Sequence, residues 1–308
     1  MTGDRPYLGL LLMIGFCCLA PLGDGIAKFL GDSVPLAQIL AIRFAVQAGV
    51  LVALCRAWGQ PLILPARAMR LTALRTLLHI GGVGSMFLAL RHLPLADALA
   101  ITFVMPFLLL VSAHFFTGEE VGLRRLLACV VGFGGTLLVL QPSFAEAGAW
   151  ALVPLATAVF FAGFMIVTRA VARDAGPVQL QAVSGVMATV VLFPMLVVGD
   201  ARALPFLDPI EPDMGQIALL VFLGLLGTGA HLLMTQSLRY APAATLAPVQ
   251  YLEIPVATLI GWAMFGDLPG PVAAAGIAVT VGAGVYVALR ERGLARAAAS
   301  PAPAPPAA

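Results

Sequence analysis

The sequence predicts an all-α integral membrane protein of ten transmembrane helices, arranged as two inverted five-helix repeats. Composition is the first observation, since 61% of the 308 residues are hydrophobic and only 10% are charged, whereas a soluble domain carries about 25% charged residues. Ten evenly spread apolar stretches are the second observation, and an internal repeat is the third. A chain this apolar is expected in lipid, where helices satisfy their own backbone hydrogen bonds.

The apolar stretches are each about 20 residues long, which is enough to cross the hydrocarbon core. In chain order they are 7–30, 35–56, 72–91, 95–117, 122–141, 148–169, 178–199, 215–238, 243–265 and 270–290. The first is longer than the apolar region of a cleaved signal peptide, about 7–15 residues, so we expect it to remain in the protein. The loops are too short to form soluble domains.

Basic residues predict the orientation, because they favour cytoplasmic loops. With a cytoplasmic N-terminus, the opposite side receives only Arg91 and Arg202, while Lys28 and Arg43 fall within spans. The cytoplasmic side receives Arg5, Arg56, Arg67, Arg70, Arg75, Arg124, Arg125, Arg169, Arg173, Arg239, Arg290, Arg292 and Arg296. We therefore expect a multi-pass protein of the inner membrane with both termini in the cytoplasm.

The internal repeat is found by shifting the sequence by 148 residues. The shift aligns Arg91–Pro94 with Arg239–Pro242, Phe103 with Tyr251, Gly118-Glu119 with Gly266-Asp267, Gly122 with Gly270 and Gly134 with Gly282. Five spans per repeat is an odd number, so the second copy is inverted, a construction typical of secondary transporters. The predicted units are a first repeat, 1–145, a second repeat, 146–292, and a disordered Ala/Pro-rich tail, 293–308.

Three ionisable residues lie within the first two spans, where charges are costly and therefore functional candidates. Asp24 and Lys28 are four residues apart and share one helix face. Arg43 lies at a depth comparable with Asp24, so we expect an Asp24–Arg43 pair with Lys28 one turn nearer the outside. The trio has three interpretations: a structural charge cluster, a site for a substrate carboxylate or phosphate at Arg43 or Lys28, or a gate.

Glu253 lies about ten residues into the ninth span, near the middle of the membrane. It is a candidate to bind a cationic substrate, to carry a coupling proton or to pair with a basic side chain. Gln250 and Tyr251 flank it and can hydrogen-bond a ligand, while Phe103, the repeat mate of Tyr251, offers either an apolar wall or core packing. The repeat mate of Glu253 is Met105, so this acid breaks the internal symmetry.

Other polar and small residues are interpreted as structural. The histidines His79, His114 and His231 lack metal-binding spacing on any one helix, so no metal site is predicted. Each is interpreted as a structural residue, with a proton relay as the alternative. The cysteines Cys17, Cys18, Cys55 and Cys129 lie in apolar runs and are interpreted as packing residues. Asp97 is expected at the membrane interface. Glycines 132, 134, 282 and 284 favour close helix approach, within the chain or in a dimer.

The motifs resemble the drug/metabolite transporter superfamily, and within it the EamA-type ten-helix carriers. The resemblance rests on Gly23-Asp24 through Lys28-Phe29-Leu30-Gly31, Arg43-Phe44, Pro106 with Gly118-Glu119, and Gln250-Tyr251-Leu252-Glu253. It covers residues 8–290 and implies alternating access around a central cavity lined by the first four helices of each repeat. The fifth helices would pack outside, where they often form a dimer contact, so a homodimer through spans five and ten is one implied arrangement.

The same resemblance suggests the kind of substrate. The Asp24/Lys28 and Tyr251–Glu253 features look most like members that carry S-adenosylmethionine, and related members carry riboflavin or amino acids. We expect a small polar organic metabolite as substrate and membrane lipid as surroundings.

Several other functional classes are disfavoured. The chain has no GxxxxGK[ST] phosphate-binding loop and no GxSxG, HExxH or CxxC motif. Its basic residues are divided among short loops, which disfavours nucleic-acid binding, and no cofactor is predicted. A secondary transporter is the leading hypothesis; the alternatives are an intramembrane enzyme acting on a lipid-linked substrate and a non-transporting membrane sensor or scaffold.

Overall fold

The computed structural model describes residues 6–112, 123–172, 174–198, 209–241, 246 and 249–299, and every regular element within them is helical. The first half contains α1 (Pro6–Gly31), α2 (Leu36–Ala57), α3 (Ala66–Leu90), α4 (Leu95–Thr102), α5 (Met105–Ser112) and α6 (Leu123–Ala147). A 3-10 turn, Gly148–Leu152, leads into α7 (Val153–Val171), α8 (Pro177–Val198), α9 (Met214–Tyr240), α10 (Glu253–Phe265) and α11 (Pro271–Ala299).

The described helices confirm an all-helical protein that crosses the membrane several times. Six segments are long and apolar enough to span it: Tyr7–Gly31, Leu36–Ala57, Ala66–Leu90, Val130–Val171, Pro177–Leu196 and Met214–Tyr240. Val130–Val171 is one continuous helical segment that contains most of α6 and all of α7. Shorter apolar helices lie at Leu95–Leu109, Glu253–Phe265 and Pro271–Tyr286.

Some predicted features end at other residues in the structure, and others fall on residues that the structure does not describe. α11 continues to Ala299, so residues 293–299 of the expected disordered tail are helical. His114, Gly118-Glu119, Gly122, Pro242 and the tail residues 300–308 lie outside the described residues.

The fourth predicted span is interrupted, and so is the ninth. α4 ends at Thr102, Phe103 and Val104 form a turn, and α5 begins at Met105, directly before Pro106. Tyr251 and Leu252 form the corresponding turn before α10 begins at Glu253. Proline lacks an amide hydrogen and fits best in the first turn of a helix, which explains why α5 begins at Met105. The two interruptions lie 148 residues apart, at repeat-related positions.

Four helix pairs make up the frame of the molecule. α1 packs along α9, α3 along α7, α2 along α8, and α6 along α11. Two clusters of buried apolar side chains fill the interior: one surrounds Leu30, Phe44 and Phe87, and the other surrounds Met13, Phe164 and Met234. The space between the clusters is the cavity described below.

The α6–α11 pair approaches most closely at two glycines that the sequence did not single out. A Cβ atom added to Gly276 would lie 2.6 Å from the carbonyl oxygen of Gly135, and one added to Gly135 would lie 2.7 Å from that of Gly276. Gly134 and Gly282, which were expected to allow such an approach, have no neighbour within 4 Å of an added Cβ. Of the other two expected glycines, Gly132 does face α11, with an added Cβ 3.6 Å from Cβ of Ala283, and Gly284 packs against the ring of Tyr251. The glycine pattern therefore predicted the helix pair and part of its contact face.

Candidate functional site

A cavity lies at the centre of the described helices, between the two apolar clusters. Its wall takes side chains from α1, α2, α3 and α4 in the first half of the chain and from α7, α9 and α10 in the second. The polar wall residues are Asp24, Arg43, Thr102, Thr157, His231, Gln250 and Glu253. The aromatic and methionine residues are Phe16, Phe87, Phe103, Phe161, Met86, Met105 and Met234. Aromatic walls with a few convergent polar groups are typical of small-molecule sites.

Arg43 is the cation of this wall. It is 4% exposed, its Nη2 lies 3.4 Å from His231 Nε2, and its guanidinium is 4.9 Å from the ring of Phe44. Asp24 is near enough to interact with Arg43 electrostatically, but the two form no ion pair among the described residues. The expected pair is therefore an electrostatic interaction without direct contact, and Nη1 of Arg43 has no hydrogen-bond partner in the described part of the chain.

Lys28 does not face the cavity. Its Nζ lies 3.0 Å from Asp267 Oδ2 in the loop after α10, donates to the carbonyl oxygen of Leu93 at 3.0 Å and sits 4.9 Å from the ring of Phe265. One further helical turn, about 5.4 Å, carries Lys28 beyond Asp24 to the end of α1. The expected trio of Asp24, Lys28 and Arg43 is therefore two separate features, a cavity pair and an ion pair at one end of the molecule.

Glu253 is the second carboxylate of the cavity. It is 6% exposed, and the only hydrogen bond shown for it among the described residues comes from the Cys17 thiol, at a long 3.9 Å. As the first residue of α10, it lies where the helix dipole stabilises negative charge. Gln250 is 1% exposed, and its Oε1 has no partner in the described part of the chain. Both side chains therefore offer hydrogen-bonding capacity to the cavity.

Phe103 and Tyr251 meet at the two helix interruptions. Their ring centroids are 5.1 Å apart with an interplanar angle of 31°. Phe103 faces the cavity, whereas Tyr251 stands behind it, packed over Gly284 and Gly132. Phe103 is thus placed as a wall residue, and Tyr251 supports that wall rather than contacting the cavity directly.

The sequence did not predict the surroundings of three buried polar residues. Arg75, counted among the basic residues of the cytoplasmic side and four residues into the third predicted span, is the tenth residue of α3 and is fully buried. His231, expected to be structural, lines the cavity, and its ring centroid is 4.3 Å from that of His79. Asp97, expected at the interface, is 7% exposed and accepts a hydrogen bond from Ser143 Oγ at 2.8 Å. Within the described residues, no cluster of His, Cys, Asp and Glu is suited to hold a metal ion.

Comparison with known proteins places this geometry in context. A model of the EamA-like transporter family matches residues 7–141 and again residues 148–290. A riboflavin transporter of Brucella anthropi is 27% identical over 74% of this chain and 79% of its own length. An S-adenosylmethionine uptake transporter of Rickettsia bellii is 24% identical, covering 87% of this chain and 89% of its own length.

Two further matches extend over nearly the whole chain. A pseudopaline exporter of Pseudomonas aeruginosa is 23% identical over 95% of this chain and all of its own length. A solved crystal structure superimposes with a TM-score of 0.66 at 19% sequence identity, covering 94% of this chain and 96% of that chain. The structural match supports the fold.

Proposed function

Because the chain belongs to the EamA-like transporter family, as its motifs indicated, we propose that it carries a small polar organic metabolite across the inner membrane by alternating access. The observation that carries this proposal is the central cavity between the two halves of the chain. Substrate sites of secondary transporters lie at such an interface, near the middle of the membrane. The transporter relatives cover most of the chain on both sides of the cavity.

The charges of the cavity support a zwitterionic substrate. Two carboxylates, Asp24 and Glu253, share the wall with one guanidinium, Arg43. Asp24 interacts with Arg43, which leaves Glu253 without a cationic partner among the described residues. A cationic group of the substrate would bind at Glu253, and an anionic group would bind at the unpaired Nη1 of Arg43.

The aromatic wall supports a flat or apolar moiety between those polar ends. Phe16, Phe87, Phe103 and Phe161 all face the same space, and aromatic faces attract cations as well as rings. S-adenosylmethionine combines a sulfonium, an amino acid and an adenine, so it fits all three features. Riboflavin offers the ring alone, and an amino acid offers the charges alone.

The helix pairs support the proposed inverted repeats, 1–145 and 146–292. A two-fold axis that exchanges the halves turns the α1–α9 pair into the α7–α3 pair, and both pairs are present. The same axis maps α2–α8 and α6–α11 onto themselves. The interruptions at 103–104 and 251–252 are also exchanged. This arrangement and the basic loops support the proposal of ten spans with both termini in the cytoplasm.

The helices α6 and α11 support the proposed contacts with membrane lipid and with a second copy of the chain. α6 and α11 pack on each other and carry exposed apolar residues such as Leu127, Val131 and Tyr286, a surface for lipid or for a second copy in a homodimer.

The experiment is uptake into liposomes that contain the purified protein. Labelled S-adenosylmethionine, riboflavin and an amino-acid panel are offered, with and without a pH gradient. The variant Glu253→Gln should lower binding of a cationic substrate about ten-fold or more, since hydrogen bonds to charged groups contribute about 1.5–3 kcal/mol. Glu146→Gln is the matched control, because Glu146 is exposed and outside the cavity.

The outcomes separate the parts of the proposal. Saturable uptake that is lost in Glu253→Gln and kept in Glu146→Gln supports both the carrier and its site. Equal uptake by Glu253→Gln and Glu146→Gln would show that Glu253 is not part of the substrate site. An absence of uptake and of binding for every compound, with folded protein, rejects these substrates.

A further inference from the structure

Arg75 connects the two halves of the chain through hydrogen bonds to neutral hydroxyl groups. Its Nε donates to Thr168 Oγ1 at 2.8 Å, its Nη1 to Ser184 Oγ at 2.6 Å and its Nη2 to Thr235 Oγ1 at 3.2 Å. Arg75 is on α3, whereas the three hydroxyls are on α7, α8 and α9. One side chain of the first half therefore holds three helices of the second half together.

The guanidinium of Arg75 has no carboxylate partner among the described residues. Its other contact is the ring of Phe164, 4.5 Å from Cζ, and its side chain has no exposed surface. A buried charge without a counter-charge is costly, and intramembrane charges of this kind usually serve a function. Hydroxyl partners hold a guanidinium more weakly than a carboxylate does, so these bonds can be exchanged for water more easily.

Arg75 lies beyond one end of the cavity. From Arg43 in the cavity wall, a column of contacts runs through His231 and His79 to Phe164 and then to Arg75. The successive separations are 3.4 Å between side-chain nitrogens, 4.3 and 4.6 Å between ring centroids, and 4.5 Å from ring to guanidinium. Only the first two residues of this column face the cavity. The rest of the column closes that end.

Polar contacts continue from Arg75 toward the surface. Gln181 Nε2 donates to Thr235 Oγ1 at 3.0 Å, and Gln47 Nε2 donates to the carbonyl oxygen of Gln181 at 2.9 Å. Near the start of α3, Arg67 pairs with Asp174 at 2.9 Å, and this pair is exposed. The opposite end of the molecule has the partly exposed Lys28–Asp267 pair. The Arg75 end is thus closed by several buried layers.

From these contacts we infer that Arg75 is the lock that keeps this end of the cavity closed, and that the end opens when the guanidinium exchanges the three hydroxyls for water. The inference rests on alternating access, the mechanism proposed above. It assigns Arg75 a positioning role, because the residue acts on the second half of the chain and does not contact the substrate in the cavity.

The test measures access to the cavity and needs no substrate. The native cysteines are replaced by alanine, and Ala20 in the cavity wall is replaced by cysteine as the reporter. Membrane-impermeant methanethiosulfonate is added separately to right-side-out and inside-out vesicles. Three lock variants are compared: Arg75→Met, Arg75→Lys, and Ser184→Ala combined with Thr235→Ala.

Thr72→Ala is the matched control for the lock variants. Thr72 is equally buried on α3, but its hydroxyl bonds only within its own helix, to the carbonyl oxygen of Ala68. The Thr72→Ala substitution removes a buried hydroxyl from the same helix without breaking a contact between the two halves of the chain. Its labelling rate should equal that of the unmodified reporter.

Loss of the lock should raise the labelling rate from the Arg67 side by about ten-fold or more, because one hydrogen bond to a charged group suffices for that shift. Labelling from the opposite side should fall. Arg75→Lys and the hydroxyl double variant should both lie between Arg75→Met and the unmodified reporter, since the lysine keeps the charge and the double variant keeps the bond from Arg75 Nε to Thr168.

A wild-type labelling rate in the hydroxyl double variant overturns the inference, even if Arg75→Met fails to fold. Equal acceleration from both sides also overturns it, because that result indicates general loosening rather than a lock. Failure to find a transported compound bears on the proposed function alone, since the labelling rates do not depend on one.

Discussion

The contact between α6 and α11 allows a stability prediction with a built-in control. In Gly276→Ala the new methyl group would lie 2.6 Å from the carbonyl oxygen of Gly135 and 2.8 Å from Cγ2 of Val139. A backbone oxygen can move only with its helix, so the two helices must separate. In Gly282→Ala, on the same helix, the methyl group has no neighbour within 4 Å.

The magnitude follows from the difference between the two variants. Both gain helix propensity, about 1 kcal/mol for replacing glycine by alanine. Only Gly276→Ala has the overpacking cost, about 1–3 kcal/mol. Gly276→Ala should therefore be less stable than Gly282→Ala by about 1–3 kcal/mol. With an unfolding entropy of about 2.1 cal/mol/K per residue over 308 residues, that is a difference of about 2–5 °C in melting temperature.

The assay is thermal denaturation of the purified variants in one detergent, followed by the loss of monodisperse protein after heating. Gly135→Ala should behave like Gly276→Ala, since its methyl group would meet the backbone of Gly276 and Thr280. Gly134→Ala provides the control on α6. Melting of Gly276→Ala and Gly282→Ala within a degree of each other would refute the close approach of these helices.

Further predictions concern the ion pair at the end of α1 and the two histidines. A double-mutant cycle of Lys28→Ala and Asp267→Ala should give a coupling of about 0.2–1 kcal/mol that weakens in high salt, because the pair is partly exposed; a coupling above about 2 kcal/mol would contradict this. His79→Leu should melt at or above the wild-type temperature, because both ring nitrogens lack partners in the described structure. His231→Leu should melt lower by the equivalent of about 1–3 kcal/mol, because it removes the hydrogen-bond partner of Arg43 Nη2. Equal melting of the two histidine variants would refute that contrast.

The sequence predicted the helical membrane fold because hydropathy is a local property. Runs of about 20 apolar residues are visible without any knowledge of tertiary contacts. The interruptions at Phe103 and Tyr251 were not predicted, because Pro106 and Pro255 are equally compatible with a kinked continuous helix. The repeat alignment had already paired these two positions, but pairing alone carries no information on backbone conformation.

Assignment of the charged residues was less successful, for a physical reason. Arg75 follows Arg67 and Arg70, so the count of basic residues grouped it with the charges of the cytoplasmic side, although it lies within the third predicted span. Its burial depends on hydroxyls contributed by three later helices, which local sequence does not reveal. Lys28 was grouped with Asp24 by helical periodicity, although its partner Asp267 lies 239 residues away. Asp24, Arg43 and Glu253 were placed by their depth in the membrane, and the structure brings all three to one cavity.

Tyr251 links the cavity to α6 and α11, which carry exposed apolar side chains. Its ring packs over Gly284 of α11 and Gly132 of α6 on one side, and it lies against Phe103 of the cavity wall on the other. A bilayer that is thicker or thinner than the apolar length of α6 and α11 tilts such helices, at a modest cost per ångström of mismatch. That tilt would move the surface on which Tyr251 rests, so the thickness of the surrounding membrane becomes a determinant of the cavity's shape.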